Sequence, residues 1–202
     1  MSNYFSKFPV IQYQKDKNTS LYLSNIMVRF SFEEKFKNNT STYFKYTIKE
    51  NETPELLAHK LYGDPEKHWI IFLMNNIVDP FYDWPLSYRE FNEYIISNYD
   101  SIENSTSTIH SYYKVISFEY SNGNYLKEYY QIPEKTYDEL PSNDYKLYTL
   151  PDSTEVIVNT TKITRSYYEY ERIKNERKKQ IKILKPEFIN SVVTELEELL
   201  ET

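Results

Sequence analysis

Residues 46–86, YTIKENETPELLAHKLYGDPEKHWIIFLMNNIVDPFYDWPL, decide how this chain is read. They predict a strand, a helix, a tight turn, a second helix and a return strand. Thr53 stands as N-cap with Pro54 at the first helical position, where a missing N–H costs nothing. Leu56, Leu57 and Leu61 share one face of that helix. Gly63 is placed as a left-handed C-cap, and Asp64-Pro65 stops one helix and opens the next. The second helix carries Trp69, Ile70, Phe72 and Leu73, a stripe broad enough to be buried between the first helix and a sheet. Asn75 and Asn76 end it.

Outward from this module, Ser87 caps a third helix to Asn98, with Phe91, Tyr94 and Ile95 facing inward. The polar run SIENSTST, 101–108, marks a boundary. Beyond it Tyr113, Val115 and Ser117 alternate with Lys114, Ile116 and Phe118, and Asn122-Gly123 predicts a type I′ turn, giving a hairpin over 111–132. A Pro- and Asp-punctuated loop, 133–144, leads to two further strands, YKLYTL and EVIVNTTKITRSY. Helix returns near Tyr167, with Glu171–Lys174 and Asn175–Lys179 at helical spacing. Pro186 starts a last helix, on which Ile189, Val193, Leu196 and Leu200 align. Residues 1–40 hold no sustained period and read as an extended arm ordered on a partner. Within them, 20–32 suggests short extended pieces able to pair with the module's sheet. The fold class is therefore α+β: an arm over 1–40, a β-α-α-β module with its following helix over 41–100, a β-rich insertion or small domain over 101–164, and C-terminal helices over 165–202.

The string Tyr46, Ile48, Glu52, Pro54, Leu57, Ala58, Tyr62, Gly63, Asp64, Trp69, Ile71, Asn75, Ile77, Asp79, Pro80, Phe81, Trp84, Pro85 resembles the LysM-like segment of the baseplate wedge proteins of contractile-tailed bacteriophages. Upstream, Tyr4, Phe5, Phe8 and Pro9, then Asn25, Ile26 and Arg29, are similar to that family's extended arm. Residues 168–200 resemble its charged helix and C-terminal helix. The resemblance covers residues 1–100 and 165–200 and leaves 101–164 unmatched. It implies a virion protein assembled in the host cytoplasm and held in several copies around the tail. It also implies contacts with other wedge proteins and with inner-baseplate, sheath-initiating or hub proteins.

Composition narrows the chemistry. The 202 residues suit one or two small domains, and 40% hydrophobic content is ample for a core. The apolar residues are unusual in kind, with 22 Tyr and 11 Phe. Tyr is enriched at protein interfaces, although a coding bias toward Tyr, Asn, Lys and Ile explains the excess as readily. Two glycines, Gly63 and Gly123, leave no Gly-rich phosphate cradle, which argues against nucleotide cofactors. With no cysteine, disulfides and thiolate chemistry are excluded. No apolar run approaches a membrane span, so neither membrane insertion nor a leader is expected. A net charge of −6 gives no general attraction to nucleic acid.

Candidate catalytic residues do not emerge. His59, His68 and His110 are too far apart for a local metal motif, so no metal and no cofactor are expected. Asp64, Asp79 and Asp83 have structural explanations: a cap, a turn former before Pro80 and a loop polar group. Paired carboxylates hydrolyse glycosides only when held across a cleft, so neither an enzyme nor a small-molecule substrate is expected. Trp69 falls to the core by its helical stripe. Trp84, between two prolines, is open between core and anchor. The cationic stretch Arg172–Lys185 suits a solvated face or an acidic protein surface. Two functions follow. One is a structural subunit that fastens neighbouring wedge proteins, with Tyr4, Phe5, Phe8, Pro9, Phe81, Tyr82 and Trp84 as partner-binding candidates. The other is a LysM-type binder of peptidoglycan, stacking sugars on exposed aromatics.

Overall fold

A computed structural model describes residues 8–16, 19–25 and 37–201, the last three by backbone alone. In chain order the elements are β1 (Val10–Asp16), β2 (Thr19–Ser24), β3 (Tyr43–Thr47), α1 (Pro54–Tyr62), a 3₁₀ turn (Pro65–Lys67), α2 (His68–Asn75), α3 (Pro80–Asp83), α4 (Tyr88–Tyr99) and α5 (Ile102–Ser107). Then follow β4 (Ile109–Tyr120), β5 (Tyr125–Ile132), α6 (Glu134–Glu139), β6 (Asn143–Thr149), β7 (Glu155–Ser166), α7 (Tyr167–Lys178), β8 (Gln180–Leu184), a 3₁₀ turn (Pro186–Phe188) and α8 (Ile189–Glu201). Helices and strands are interleaved and every described strand pairing is antiparallel, an α+β arrangement. Two compact units form, residues 1–87 with 176–202 and residues 88–175. By contact, helix α4 groups with the second.

In the first unit the local signals work as written. Thr53 accepts a hydrogen bond from Leu56 N at 3.3 Å and Pro54 opens α1. Gly63, at φ 72°, ends the helix with its N–H on the His59 carbonyl at 2.9 Å. Asp64 caps the 3₁₀ turn by accepting from Glu66 N at 2.9 Å. Asn76 closes α2 in the left-handed conformation at φ 55°. The buried face of α1 is Leu57 and Ala58, while Leu56 is exposed and Leu61 only partly buried. On α2 the buried residues are Ile70, Ile71 and Met74, with Trp69, Phe72 and Leu73 half-buried around them.

The predicted return strand within 77–86 is absent. Asp79 and Pro80 cap a short helix there, and the second strand of the sheet comes from β8, a segment expected to be helical. β8 pairs antiparallel with β3, Tyr43 opposite Leu184 and Thr47 opposite Gln180. Ile181 and Ile183, two residues apart, share one side of the strand and join Ile48, Leu57, Ala58, Ile71 and Trp84. Leu184 instead joins Ile70, Met74, Ile189 and Val192, which seats α8. The buried stripe of α8 is thus Ile189, Val192 and Leu196, with Val193 at its margin. The Leu200 side chain lies outside the described residues. Asn75 ties α2 to β8: its amide accepts from Lys182 N at 2.7 Å and donates to the Lys182 carbonyl at 2.8 Å. That pairing satisfies the backbone groups which β8 turns away from β3.

The N-terminal segment differs from the expected arm. β1 and β2 pair with each other, Val10 opposite Ser24 and Tyr13 opposite Leu21, rather than with the module's sheet. Ile26, Val28, Arg29 and Phe30 lie outside the described residues.

The second unit is built on a four-stranded antiparallel sheet ordered β5-β4-β7-β6. Its two hairpins use one turn twice. Gly123 N bonds the Tyr120 carbonyl at 2.9 Å and Tyr120 N bonds the Asn124 carbonyl at 2.9 Å; Ser153 N to Leu150 O at 3.0 Å and Leu150 N to Thr154 O at 2.8 Å repeat it. Gly123 (φ 86°) and Ser153 (φ 66°) occupy the left-handed position, and Asn122 does not. Both are therefore three-residue loops, a type I turn with a bulge, in place of the predicted type I′ turn at 122–123. In each an Asx side chain braces the exit: Asn122 Oδ1 accepts from Asn124 N, and Asp152 Oδ1 from Thr154 N, both at 3.0 Å. The loop expected over 133–144 contains α6, and the polar run 101–108 folds as α5, capped by Ser101. α4 and α7 meet through Phe91 and Tyr168, edge to face at 5.5 Å, and Tyr99 donates to Glu171 at 3.1 Å. The expected Glu171–Lys174 pair forms at 3.7 Å. Lys179 pairs with Glu176 rather than with Asn175.

Candidate functional site

Three residues after α2 the chain makes a tight, fully braced turn. Asp79 N-caps α3 by accepting from Phe81 N at 3.0 Å, and Pro80 fixes the first helical φ. Asp83 reaches back, its Oδ2 accepting from Val78 N at 3.0 Å and Asp79 N at 3.1 Å. Those N–H donors, Asp79 first and then Val78, hold the Asp83 carboxyl below its ordinary value, with help from the Lys178 ammonium. Lys178 Nζ also donates to the Tyr82 carbonyl. Both orphan ends of a one-turn helix are thereby tied down.

Beneath the turn, Trp84 anchors it. The indole is 9% exposed, donates Nε1–H to the Glu52 carbonyl at 3.0 Å and meets Phe72 edge-on at 6.4 Å. Glu52 is itself the centre of a network. Tyr46 OH lies 2.9 Å from both carboxylate oxygens, Lys49 N donates at 3.1 Å and Lys60 Nζ at 3.1 Å. Partial burial raises the Glu52 carboxyl, but the Lys49 N–H, the Tyr46 hydroxyl and Lys60 together outweigh it and leave the group below its ordinary value.

On this fixed base the outward side chains are Val78, Phe81 and Tyr82, at 70%, 87% and 72% exposure. Burying a Phe side chain is worth about 1.5–3 kcal/mol. The free chain leaves that stabilisation unused at Phe81, and the backbone ordering that binding ordinarily costs is already met by the caps.

The other predicted anchors fare differently. Tyr4 and Phe5 lie outside the described residues. Phe8 is 4% exposed, so it is a buried residue and no free anchor. Pro9 is half-buried and its carbonyl accepts from Asn25 N at 2.8 Å, closing the β1–β2 hairpin. Trp84 is corrected from anchor to core: the prolines around it suggested a loop, but its indole is what holds that loop down. Val78 was missed, since a lone valine at a helix end carries no signal until its neighbours are seen to be exposed. His68 bonds the Pro65 carbonyl at 2.9 Å and His110 stacks on Tyr170 at 3.8 Å. Among the described residues no three His, Asp or Glu side chains gather to hold a metal ion, and no helix is long and apolar enough to cross a membrane.

An α+β chain whose most exposed aromatic among the described residues, Phe81, stands on a pinned, capped turn has the build of a surface that docks on another protein. Residues 3–199 match the family model described as Base plate wedge protein 53, and the chain belongs to that family. It is 25% identical over 179 residues to Baseplate wedge protein gp53 of Enterobacteria phage T4, an alignment covering 85% of this chain and 81% of that one.

Proposed function

We propose that this chain fastens neighbouring wedge subunits together in the inner baseplate of a phage tail, and that the Val78, Phe81 and Tyr82 knob is one of its contacts. The observation that carries the reading is an exposed phenyl ring on a turn capped at both ends. Aromatics carried on a backbone fixed in advance cost less ordering on docking and often dominate the energy of an interface. Tyr4, Phe5 and Pro9 are proposed as a second contact through the N-terminal segment. Other wedge proteins, sheath-initiating proteins and hub proteins are the proposed neighbours, met as the tail assembles in the host cytoplasm. A sugar-stacking role for Trp84 finds no support, because the indole faces Phe72 and the aliphatic core rather than solvent.

The test is the double variant Phe81→Ala with Tyr82→Ala, scored for incorporation into particles and for the melting of the free chain. Loss of incorporation with unchanged melting is expected. Normal incorporation sinks the knob as a contact.

A further inference from the structure

One feature of the first unit opposes folding. Lys45 on β3 stands directly opposite Lys182 on β8. Because the Lys182 N–H and C=O both turn to the Asn75 amide, this is the non-hydrogen-bonded kind of cross-strand pair, in which side chains stand closest. Like charges at that position destabilise a sheet. A third lysine, Lys37, approaches Lys182 through its backbone. Lys182 Nζ donates to the Lys37 carbonyl at 3.0 Å and lies 4.7 Å from the centre of the Tyr43 ring, while Lys37 Nζ donates to Asn76 Oδ1 at 2.5 Å. Every one of these acceptors is neutral. Lys45 is exposed, and none of the ion pairs among the described residues includes Lys37, Lys45 or Lys182. The ion pairs described in this unit, Lys60 with Glu52 and Lys179 with Glu176, involve other lysines. In a chain of net charge −6, positive charge without a carboxylate partner among the described residues is a local exception.

We infer that Lys37, Lys45 and Lys182 receive a carboxylate-rich segment of a neighbouring protein subunit. The inference rests on the reading of this chain as an assembly subunit and adds the chemistry of one partner. A carboxylate set between the lysines turns the cross-strand repulsion into attraction. The Tyr43 ring and the Lys37 carbonyl already hold the Lys182 ammonium in place for it. Charge complementarity of this kind steers encounter and fixes orientation. An acidic protein fits better than nucleic acid, since a patch of three lysines on an acidic chain neutralises few phosphates and gains little from counterion release.

Two measurements on assembled particles decide it. Carbodiimide treatment, which joins a lysine amine to a carboxylate in contact with it, is followed by peptide mass spectrometry. An amide between Lys45 or Lys182 and an Asp or Glu of another virion protein is expected, and its sequence names the partner. In parallel, Lys45→Glu in the full chain is scored for incorporation and for melting. Removal of the like-charge pair leaves the free chain as stable as wild type or more so, while incorporation falls about tenfold for the loss of one charge pair. Particles that contain the chain but give no such cross-link overturn the inference, as does wild-type incorporation of Lys45→Glu. Cross-links from these lysines to nucleic acid instead, abolished by nuclease, also overturn it. Particles that lack the chain altogether overturn the assembly reading itself, a separate failure.

Discussion

In the first unit a two-stranded sheet, too small to be stable alone, is held from outside by helices. α1 and Trp84 cover Ile181 and Ile183, α2 and α8 cover Leu184, and Asn75 bonds the outward edge of β8. In the second unit four long strands support one another through their ladders. Beyond Phe91 and Ile95 on α4, only Val115 and Val156 are buried apolar residues there, and Tyr125, Tyr129, Tyr145, Leu147 and Tyr148 remain exposed along the sheet. A pair of strands needs a core or a helix against it, whereas several strands with continuous pairing tolerate a wet surface. Side-chain deletions should accordingly be costly in the first unit and cheap on the sheet of the second.

The largest effect belongs to Trp84→Ala. Removing a buried tryptophan costs about 3–5 kcal/mol, and here it also frees the Glu52 carbonyl and the base of the knob. Chemical denaturation of the first unit checks it, and an unchanged midpoint breaks the contrast. Asn75→Ala ranks next at about 2 kcal/mol, because the Lys182 N–H and C=O lose the partners that Asn75 gives them in a half-buried place. Its sharper reading is hydrogen exchange: the Lys182 amide should exchange faster while amides of β4 and β7 keep their protection.

Glu52 gives a smaller, pH-dependent effect. Its folded carboxyl titrates below the ordinary value of 4.5, so its contribution to stability is complete above that value and is lost as pH falls through the lowered folded value. Glu52→Gln should lower stability at neutral pH and flatten the acid limb of the profile. A parallel profile in the variant means that the Tyr46, Lys49 and Lys60 network adds nothing. Smallest of all is Leu147→Thr on β6, expected within about 0.5 kcal/mol of wild type. A loss near that of Trp84→Ala erases the distinction between the two units.

What the sequence discloses tracks how local the cause is. Thr53, Gly63, Asp64 and Asn76 act within four residues of themselves, and each cap stands where it was read. The β-branched content of EVIVNTTKITRSY and the Glu171–Lys174 spacing are equally local. β8 was hidden because QIKIL sits between a charged helix and Pro186, and its pairing partner lies more than a hundred residues upstream. Its own alternation, Ile181 with Ile183, is too short to stand out from the helical spacing before it. Asn122-Gly123 was read for a turn of the wrong type, since Asn-Gly serves both; the matching role of Asp152 and Ser153 in the other hairpin shows which geometry the Asx brace favours. For the binding surface, Phe81 and Tyr82 were legible as aromatics on a Pro-capped loop, but Trp84 was not separable from them. Three residues apart in one segment, they differ only in which way the braced turn faces.

Oxidative footprinting should be run on the free chain and on assembled particles, following Phe81, Tyr82 and Trp84 by mass spectrometry. Phe81 and Tyr82 are predicted to react readily in the free chain and to be strongly protected in the particle, with Trp84 slow in both. Equal reactivity of Phe81 and Tyr82 in the two states contradicts the knob as a contact, and fast oxidation of Trp84 in the free chain contradicts the fold that presents it.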